Sequence, residues 1–158
     1  MRIKILAAVA ATALLAGCAH KQEQAAATSA AEQAQAAGPV TVSVQEELRE
    51  AGDRIFFAFD KSDITAEARA TLERQAAFFQ KHPELTFTIE GHCDERGTRE
   101  YNLALGERRA NADKNAIVAL GVAAARLHTI SYGKERPAVV GHNEAAWAQN
   151  RRAVTVIN

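Results

Sequence analysis

The sequence predicts an α/β domain, one sheet with helices packed on it, and three features carry that prediction. Stretches of strand period alternate with stretches of helix period from about residue 54 onward. The longest helical stretch, starting at Tyr101, runs to Leu120 and stops at Gly121. Everything before Val40 is nearly devoid of large apolar residues once the first sixteen positions are passed, so it belongs to no core.

The elements follow in order. Ile55, Phe57 and Phe59 alternate with Phe56 and Ala58, giving a first strand with Asp60 at its end. After a turn, Ile64, Ala68, Leu72 and Phe79 fit an amphipathic helix with Thr65 as N-cap, ended by Lys81-His82-Pro83. Phe87 and Ile89 alternate with Thr86, Thr88 and Glu90, so a second, half-buried strand is expected to stop at Gly91. A polar loop leads to the helix that begins near Tyr101. Leu103, Ala110, Ile117 and Leu120 recur on it as the stripe expected to face the core, while Asn102, Leu105 and Arg109 share a separate stripe. A third strand is expected around Thr129–Tyr132, a turn region over Gly133–Pro137, a short helix near Asn143–Gln149 and a last strand over Ala153–Ile157.

The first 45 residues read differently. Met1-Arg2-Ile3-Lys4 is a short basic start, Ile5 to Ala16 is apolar, and Leu15-Ala16-Gly17-Cys18 closes the segment. About twelve apolar residues are too few for a mature membrane span, which needs about twenty. The stretch 1–17 is therefore expected to be an export signal. Its last residues resemble the lipobox of bacterial lipoproteins, which implies cleavage before Cys18 and lipidation of that cysteine; an ordinary cleaved signal beside an incidental cysteine is the plainer alternative. Ala19 after the cysteine implies, by the same resemblance, the outer membrane, facing the periplasm. Residues 18–45 are rich in alanine and glutamine and read as a flexible linker. About 26 such residues reach on the order of 85 Å when extended. The domain is expected to occupy 46–158.

Charge excludes a nucleic-acid role. The 19 basic and 19 acidic residues balance, and no basic stripe or aromatic stacking set is present. Removing 1–17 takes away Arg2 and Lys4 and leaves 17 basic against 19 acidic residues, so attraction to any anionic partner would have to be local.

The stretch Thr88–Ala112, TIEGHCDERGTREYNLALGERRANA, concentrates the chemistry. Asp94 lies in the loop feeding the helix N-terminus, and Arg109 follows on the helix. A carboxylate, a guanidinium and the unpaired N–H groups of a first helical turn suit a zwitterion: the guanidinium grips a carboxylate through two bonds and Asp94 accepts from an ammonium. Taken singly, Asp94 fits a helix cap and Arg109 a surface charge paired with Glu107 or Asp113. Phe59 fits the core as well as a groove wall, and Asp60 fits a turn.

The run EGHCDERGTREYNLALGERRANA resembles the peptidoglycan-binding signature of the OmpA-like domain family. The resemblance implies that Asp94, in a GH-x-D motif, and Arg109, in L-x-x-x-R-A, hold the meso-diaminopimelate unit of a peptidoglycan stem peptide. Asn102 and Leu105 match motif positions too, and FDKSDI brings in Phe59 and Asp60. It further implies a mixed four-stranded sheet in an α+β sandwich, with Phe59, Asp60 and Asp94 meeting at a groove at one end. Two positions depart from the pattern: Cys93 stands where threonine or alanine is more usual, and Gly106 where many members have serine.

As function, the resemblance implies an outer-membrane lipoprotein that binds peptidoglycan and tethers membrane to wall. It also implies a place in the Tol system, with the periplasmic propeller protein TolB as partner and a role in cell division. The alternatives are an OmpA-like lipoprotein outside that system, a wall-acting hydrolase, and an adaptor that binds only proteins. No catalytic site, metal or cofactor is expected. His92, Cys93 and Asp94 are consecutive and point to opposite faces, and no zinc-ligand spacing or nucleophile elbow is present. Cys93 has only Cys18 as a possible disulfide partner and is expected to be a small buried hydrophobe.

Overall fold

A computed structural model describes residues 38–158. The expected export signal over 1–17, the lipidation site Cys18 and most of the linker lie outside the described residues. The chain divides into two compact units after Val42, and the second, Ser43–Asn158, holds the whole sheet.

Helix α1 spans Gly38–Ala51, with Pro39 in its first turn where a missing N–H costs nothing. The linker boundary expected at Gln45 therefore falls inside a helix. Val44, Leu48 and Ala51 recur at helical spacing, Leu48 is fully buried, and Val44 and Ala51 pack against the core beside it. The chain leaves the helix through Gly52, whose φ of 97° favours glycine. Gln75 and Arg74 donate to the Gly52 and Ala51 carbonyls at 2.5 and 2.9 Å, which satisfies this helix end from outside.

Strand β1 is short, Arg54–Phe56. The alternation expected to continue through Phe59 breaks because the chain turns at Ala58–Lys61: the Lys61 N–H donates to the Ala58 carbonyl at 3.2 Å, and Asp60 takes a left-handed φ of 56°. Ile55 and Phe57 are buried as expected, but Phe59 is 57 % exposed.

Helix α2, Ala66–Lys81, starts at Thr65, whose hydroxyl accepts from the Ala68 N–H at 3.1 Å. It buries Ala68, Leu72, Ala76, Phe78 and Phe79. Strand β2, Phe87–His92, is the centre of the core, with the Phe87 ring 3.9 Å from Phe79 between centroids. Helix α3, Arg99–Ala119, is capped by Thr98 and leaves through Gly121 at φ 95°. Strand β3, Leu127–Gly133, helix α4, Glu144–Asn150, with Asn143 as its cap, and strand β4, Arg152–Ile157, complete the domain.

The four strands form one mixed sheet in the order β1-β4-β2-β3. The β1/β4 and β4/β2 pairs are antiparallel and β2/β3 is parallel, with α3 as the crossover. The inner face carries Ile55, Phe87, Ile89, Ala153 and Leu127 against the helices.

One expectation about α3 is corrected. Ala110 and Ile117 are buried, but Leu103 is 48 % exposed, whereas Asn102, Leu105 and Arg109, expected on a separate stripe, are all buried. The inward stripe is set by the phase 102, 105, 106, 109, 110, 113, 117, and Leu103 lies at its edge on the helix end nearest the loop. The departure at Gly106 also has a cause: a Cβ there would lie 2.3 Å from the Ser131 hydroxyl, which fills that space.

Candidate functional site

At one end of the sheet, the turn after β1, the loop after β2 and the first half of α3 line a half-open cavity of about 160 Å³. Phe59, Asp60, Asp94, Asn102, Leu105 and Arg109, six residues separated by up to 50 positions in sequence, all line it. Cys93, Arg96, Gly97 and Tyr101 complete the lining.

Arg109 forms the floor. It is fully buried, and its Nε, Nη1 and Nη2 groups donate to the carbonyls of Lys61, His92 and Ala58 at 2.8, 2.8 and 3.2 Å. The Phe57 ring lies 5.2 Å from its guanidinium carbon. These bonds fix the plane of the fork without an ion pair: no described carboxylate is in direct contact with it, and Asp94 and Asp60 act on its charge only from a distance. Burial lowers its pKa, but an arginine stays charged. A desolvated cation of this kind has a strong electrostatic demand for an anion.

Asp94 lies opposite, 4 % exposed. Its Oδ1 accepts from the Arg96 backbone N–H and from Arg96 Nε, both at 3.1 Å; its Oδ2 accepts from Arg96 Nη2 at 2.7 Å and Arg151 Nη1 at 3.5 Å. Burial raises its pKa, but the Arg96 bonds and Arg151 outweigh it and hold the carboxyl below the ordinary range. Arg151 is itself anchored, donating to the Phe57 carbonyl at 3.0 Å and to Glu144 at 2.7 Å.

Asn102 clamps the loop between these charges. Its Nδ2 donates to the carbonyls of Arg96 and Thr98 at 2.8 and 3.0 Å, so the loop that carries Asp94 is tied to α3. On the rim, the Tyr101 hydroxyl donates to Asp60, a bond that raises the phenol pKa. Phe59 and Leu105 supply the apolar walls.

Sequence reasoning misses Arg96 and its surroundings. Arg96 lies between the rings of Phe59 and Trp147, 4.0 and 4.1 Å from their centroids, and Trp147 Nε1 donates to Glu95 at 2.8 Å. The one available signal is the single tryptophan of the chain, placed in a short, otherwise polar and alanine-rich helix.

His92 and Cys93 do not act together. The His92 ring is buried on the other side, packed on Tyr132, and burial with Arg152 and Arg136 nearby pushes its pKa down to about 4. The Cys93 thiol donates to the Asn102 carbonyl at 3.3 Å, and burial raises its pKa, which keeps it a protonated thiol. Among the described residues no group of three His, Cys, Asp or Glu side chains is placed to hold a metal, and no helix is long and apolar enough to cross a membrane.

Comparison with known proteins bears on the family and the fold. Residues 56–151 match the OmpA family. A peptidoglycan-associated lipoprotein of Rhizobium meliloti is 49% identical over 99% of this chain and 88% of its own. That of Haemophilus influenzae is 43% identical over 96% of this chain and 95% of its own. The crystal structure of the peptidoglycan-associated lipoprotein from Burkholderia pseudomallei superposes with a TM-score of 0.66 and 44% identity, covering 68% of this chain and 92% of that one. The C-terminal domain of Helicobacter pylori MotB shares the fold, with a TM-score of 0.63 at 21% identity.

Proposed function

The chain belongs to the OmpA family, and from that membership we propose that it is a non-catalytic lipoprotein whose groove holds the meso-diaminopimelate unit of peptidoglycan stem peptides. The observation that carries this reading is Arg109, a fully buried guanidinium with no described carboxylate of its own, lining the same cavity as Asp94. A ligand carboxylate seated on Arg109 neutralises the buried charge, and the ligand ammonium faces Asp94. Phe59 and Leu105 keep water from both pairs, which strengthens them. Asn102 sets the distance between the two charged sites, and Asp60 adds a second carboxylate at the rim.

The rest of the chain serves delivery. Residues 1–17 direct export and are removed, Cys18 carries the lipid that anchors the protein in the outer membrane facing the periplasm, and the linker after it gives the domain reach to the wall. Membrane and wall are then joined without a covalent bond to the wall. A wall-acting hydrolase is disfavoured by the buried, protonated Cys93 thiol, which has His92 turned away from it. Phe59, Tyr101 and Leu103, all about half exposed at the groove end, offer a docking face for a protein, which supports TolB as a partner competing with the wall. Membership of the Tol system in turn places the protein in cell division and envelope integrity.

The test uses the mature chain with Cys18→Ser, sedimented with purified meso-diaminopimelate sacculi. The protein should pellet, and Asp94→Ala and folded Arg109→Lys variants should stay in solution. Equal pelleting of all three would overturn the groove as the binding site.

A further inference from the structure

The carboxylate that the proposed function offers to a ligand ammonium is already occupied. Both oxygens of Asp94 accept from Arg96, and the guanidinium carbon of that arginine lies over the rings of Phe59 and Trp147. Arg96 Nη2, the nitrogen that donates to Asp94 Oδ2, is also 3.8 Å from Glu144. The Arg96 side chain is 30 % exposed and that of Asp94 only 5 %, so the arginine covers the carboxylate from the solvent side. Arg109 is fully buried too, but its three side-chain partners are backbone carbonyls, and no described carboxylate is paired with it.

We propose that Arg96 is a resident stand-in for the ligand's ammonium, displaced on binding, and that this displacement makes the groove select zwitterions over simple cations. The inference rests on the peptidoglycan reading of the groove and adds to it the residue that sets specificity. A ligand with an ammonium alone must replace a two-bond guanidinium pair and also undo stacking on two rings, and its own single charge does not make up both losses. A ligand that brings a carboxylate at the same time gains Arg109, which no described carboxylate contacts, and that second contact offsets the exchange. Arg96 is a positioning and selecting residue in this scheme. Once displaced, it remains close to Glu144, which keeps its charge partnered at the rim.

Trp147 reports the event, because it is the only tryptophan and the guanidinium lies on its ring. Two probes separate the possibilities: the stem tripeptide with meso-diaminopimelate in third position, and the same tripeptide with lysine there, which lacks the side-chain carboxylate. Calorimetry and Trp147 emission are recorded on the mature chain with Cys18→Ser. The diaminopimelate peptide should bind with a change in emission, and the lysine peptide about 100-fold more weakly. In Arg96→Gln, both should bind more tightly, the lysine peptide gaining about tenfold more than the other, so that discrimination narrows and the emission change is lost. Trp147→Ala, which keeps the ion pair and removes one stacking wall, should narrow discrimination in the same direction by calorimetry.

Weaker binding of both peptides to Arg96→Gln with unchanged discrimination would overturn the inference and make Arg96 an ordinary ligand contact. Unchanged binding and unchanged emission would overturn it as well. If the unaltered protein binds neither peptide nor sacculi, the peptidoglycan reading itself falls; failure of discrimination to narrow, by itself, leaves that reading intact.

Discussion

Gly91 in β2 and Gly106 in α3 meet backbone to backbone. A Cβ built on Gly91 would lie 1.9 Å from the Gly106 carbonyl oxygen and 2.6 Å from its carbon. The closeness lets α3 descend onto the sheet just where β2 ends, which brings Arg109, three residues further along, under the loop that carries Asp94.

Gly91→Ala should therefore be severely destabilising, by about 3 kcal/mol or more, because its obstacle is backbone and has nowhere to turn. Gly106→Ala should cost less, since its nearest obstacle is the Ser131 hydroxyl, and Ser131→Ala should recover part of that loss. Urea unfolding of the two single variants and of the pair tests this; equal costs for Gly91→Ala and Gly106→Ala would contradict it.

Two buried titrating groups pull stability in opposite directions. Asp113 is fully buried, has no hydrogen-bond partner among the described residues, and burial pushes its pKa from the ordinary 3.8 up to about 8. The folded state thus holds a proton that the unfolded state has released, so stability falls as pH rises from about 4 to about 8. His92, with its pKa pushed down to about 4 from 6.5, does the reverse: stability falls as pH drops from 6.5 to about 4. The two effects oppose one another below pH 6.5, and Asp113 acts alone above it. Chemical unfolding should show a decline between pH 6.5 and 8, at most about 1.4 kcal/mol per pH unit. Asp113→Asn should abolish that decline and uncover a rise with pH between about 4 and 6.5. A wild-type stability that increases from pH 6.5 to 8 would rule this out.

Arg109 serves the fold as well as the site. Arg109→Met strands three carbonyls and should cost about 2–4 kcal/mol in stability. Arg109→Lys keeps the charge and loses the planar fork, so it should stay folded near room temperature and still bind sacculi at least tenfold less tightly, about 1.4 kcal/mol. Thermal melts beside sedimentation separate the two roles. Wild-type affinity in folded Arg109→Lys would show that the charge suffices without the fork.

Asn102→Ala frees the Arg96 carbonyl, while the Thr98 carbonyl keeps the backbone N–H of residue 102 at 3.1 Å, and should cost about 1–2 kcal/mol. Amide hydrogen exchange should quicken over residues 94–98 while β2 stays protected. Uniform quickening across β2 would mean that Asn102 supports the sheet and not just the loop.

Much of this is legible in the sequence because the signals are local. Thr65 caps its helix through its own side chain, and the period-two run around Phe87 and Ile89 needs no distant partner to be read. The expectations that needed revision depend on geometry between distant segments. Apolarity alone selects Leu103 for the inward stripe of α3 and overlooks that Arg109 is buried because the Ala58, Lys61 and His92 carbonyls surround it. Helix α1 resembles linker in sequence because Val44 and Leu48 are sparse apolar residues, and only α2 and the core give them a surface to cover. Arg96 and Trp147 meet through a contact between a loop and a helix about fifty residues apart, for which no sequence spacing exists. The groove residues share a motif, and the fold supplies the physical reason they belong together.

The order of the sheet places β4, the last strand in sequence, between β1 and β2. Strand β1 has no other partner among the described strands, and β2 keeps one edge open until β4 arrives. A polypeptide delivered from its N-terminus, by a ribosome or through an export channel, would thus carry an incomplete sheet until its final six strand residues emerged. Such a contact pattern, long in range and completed only by β4, slows folding. The proposed export would draw on this delay, because passage through a narrow pore requires a chain that has not yet folded.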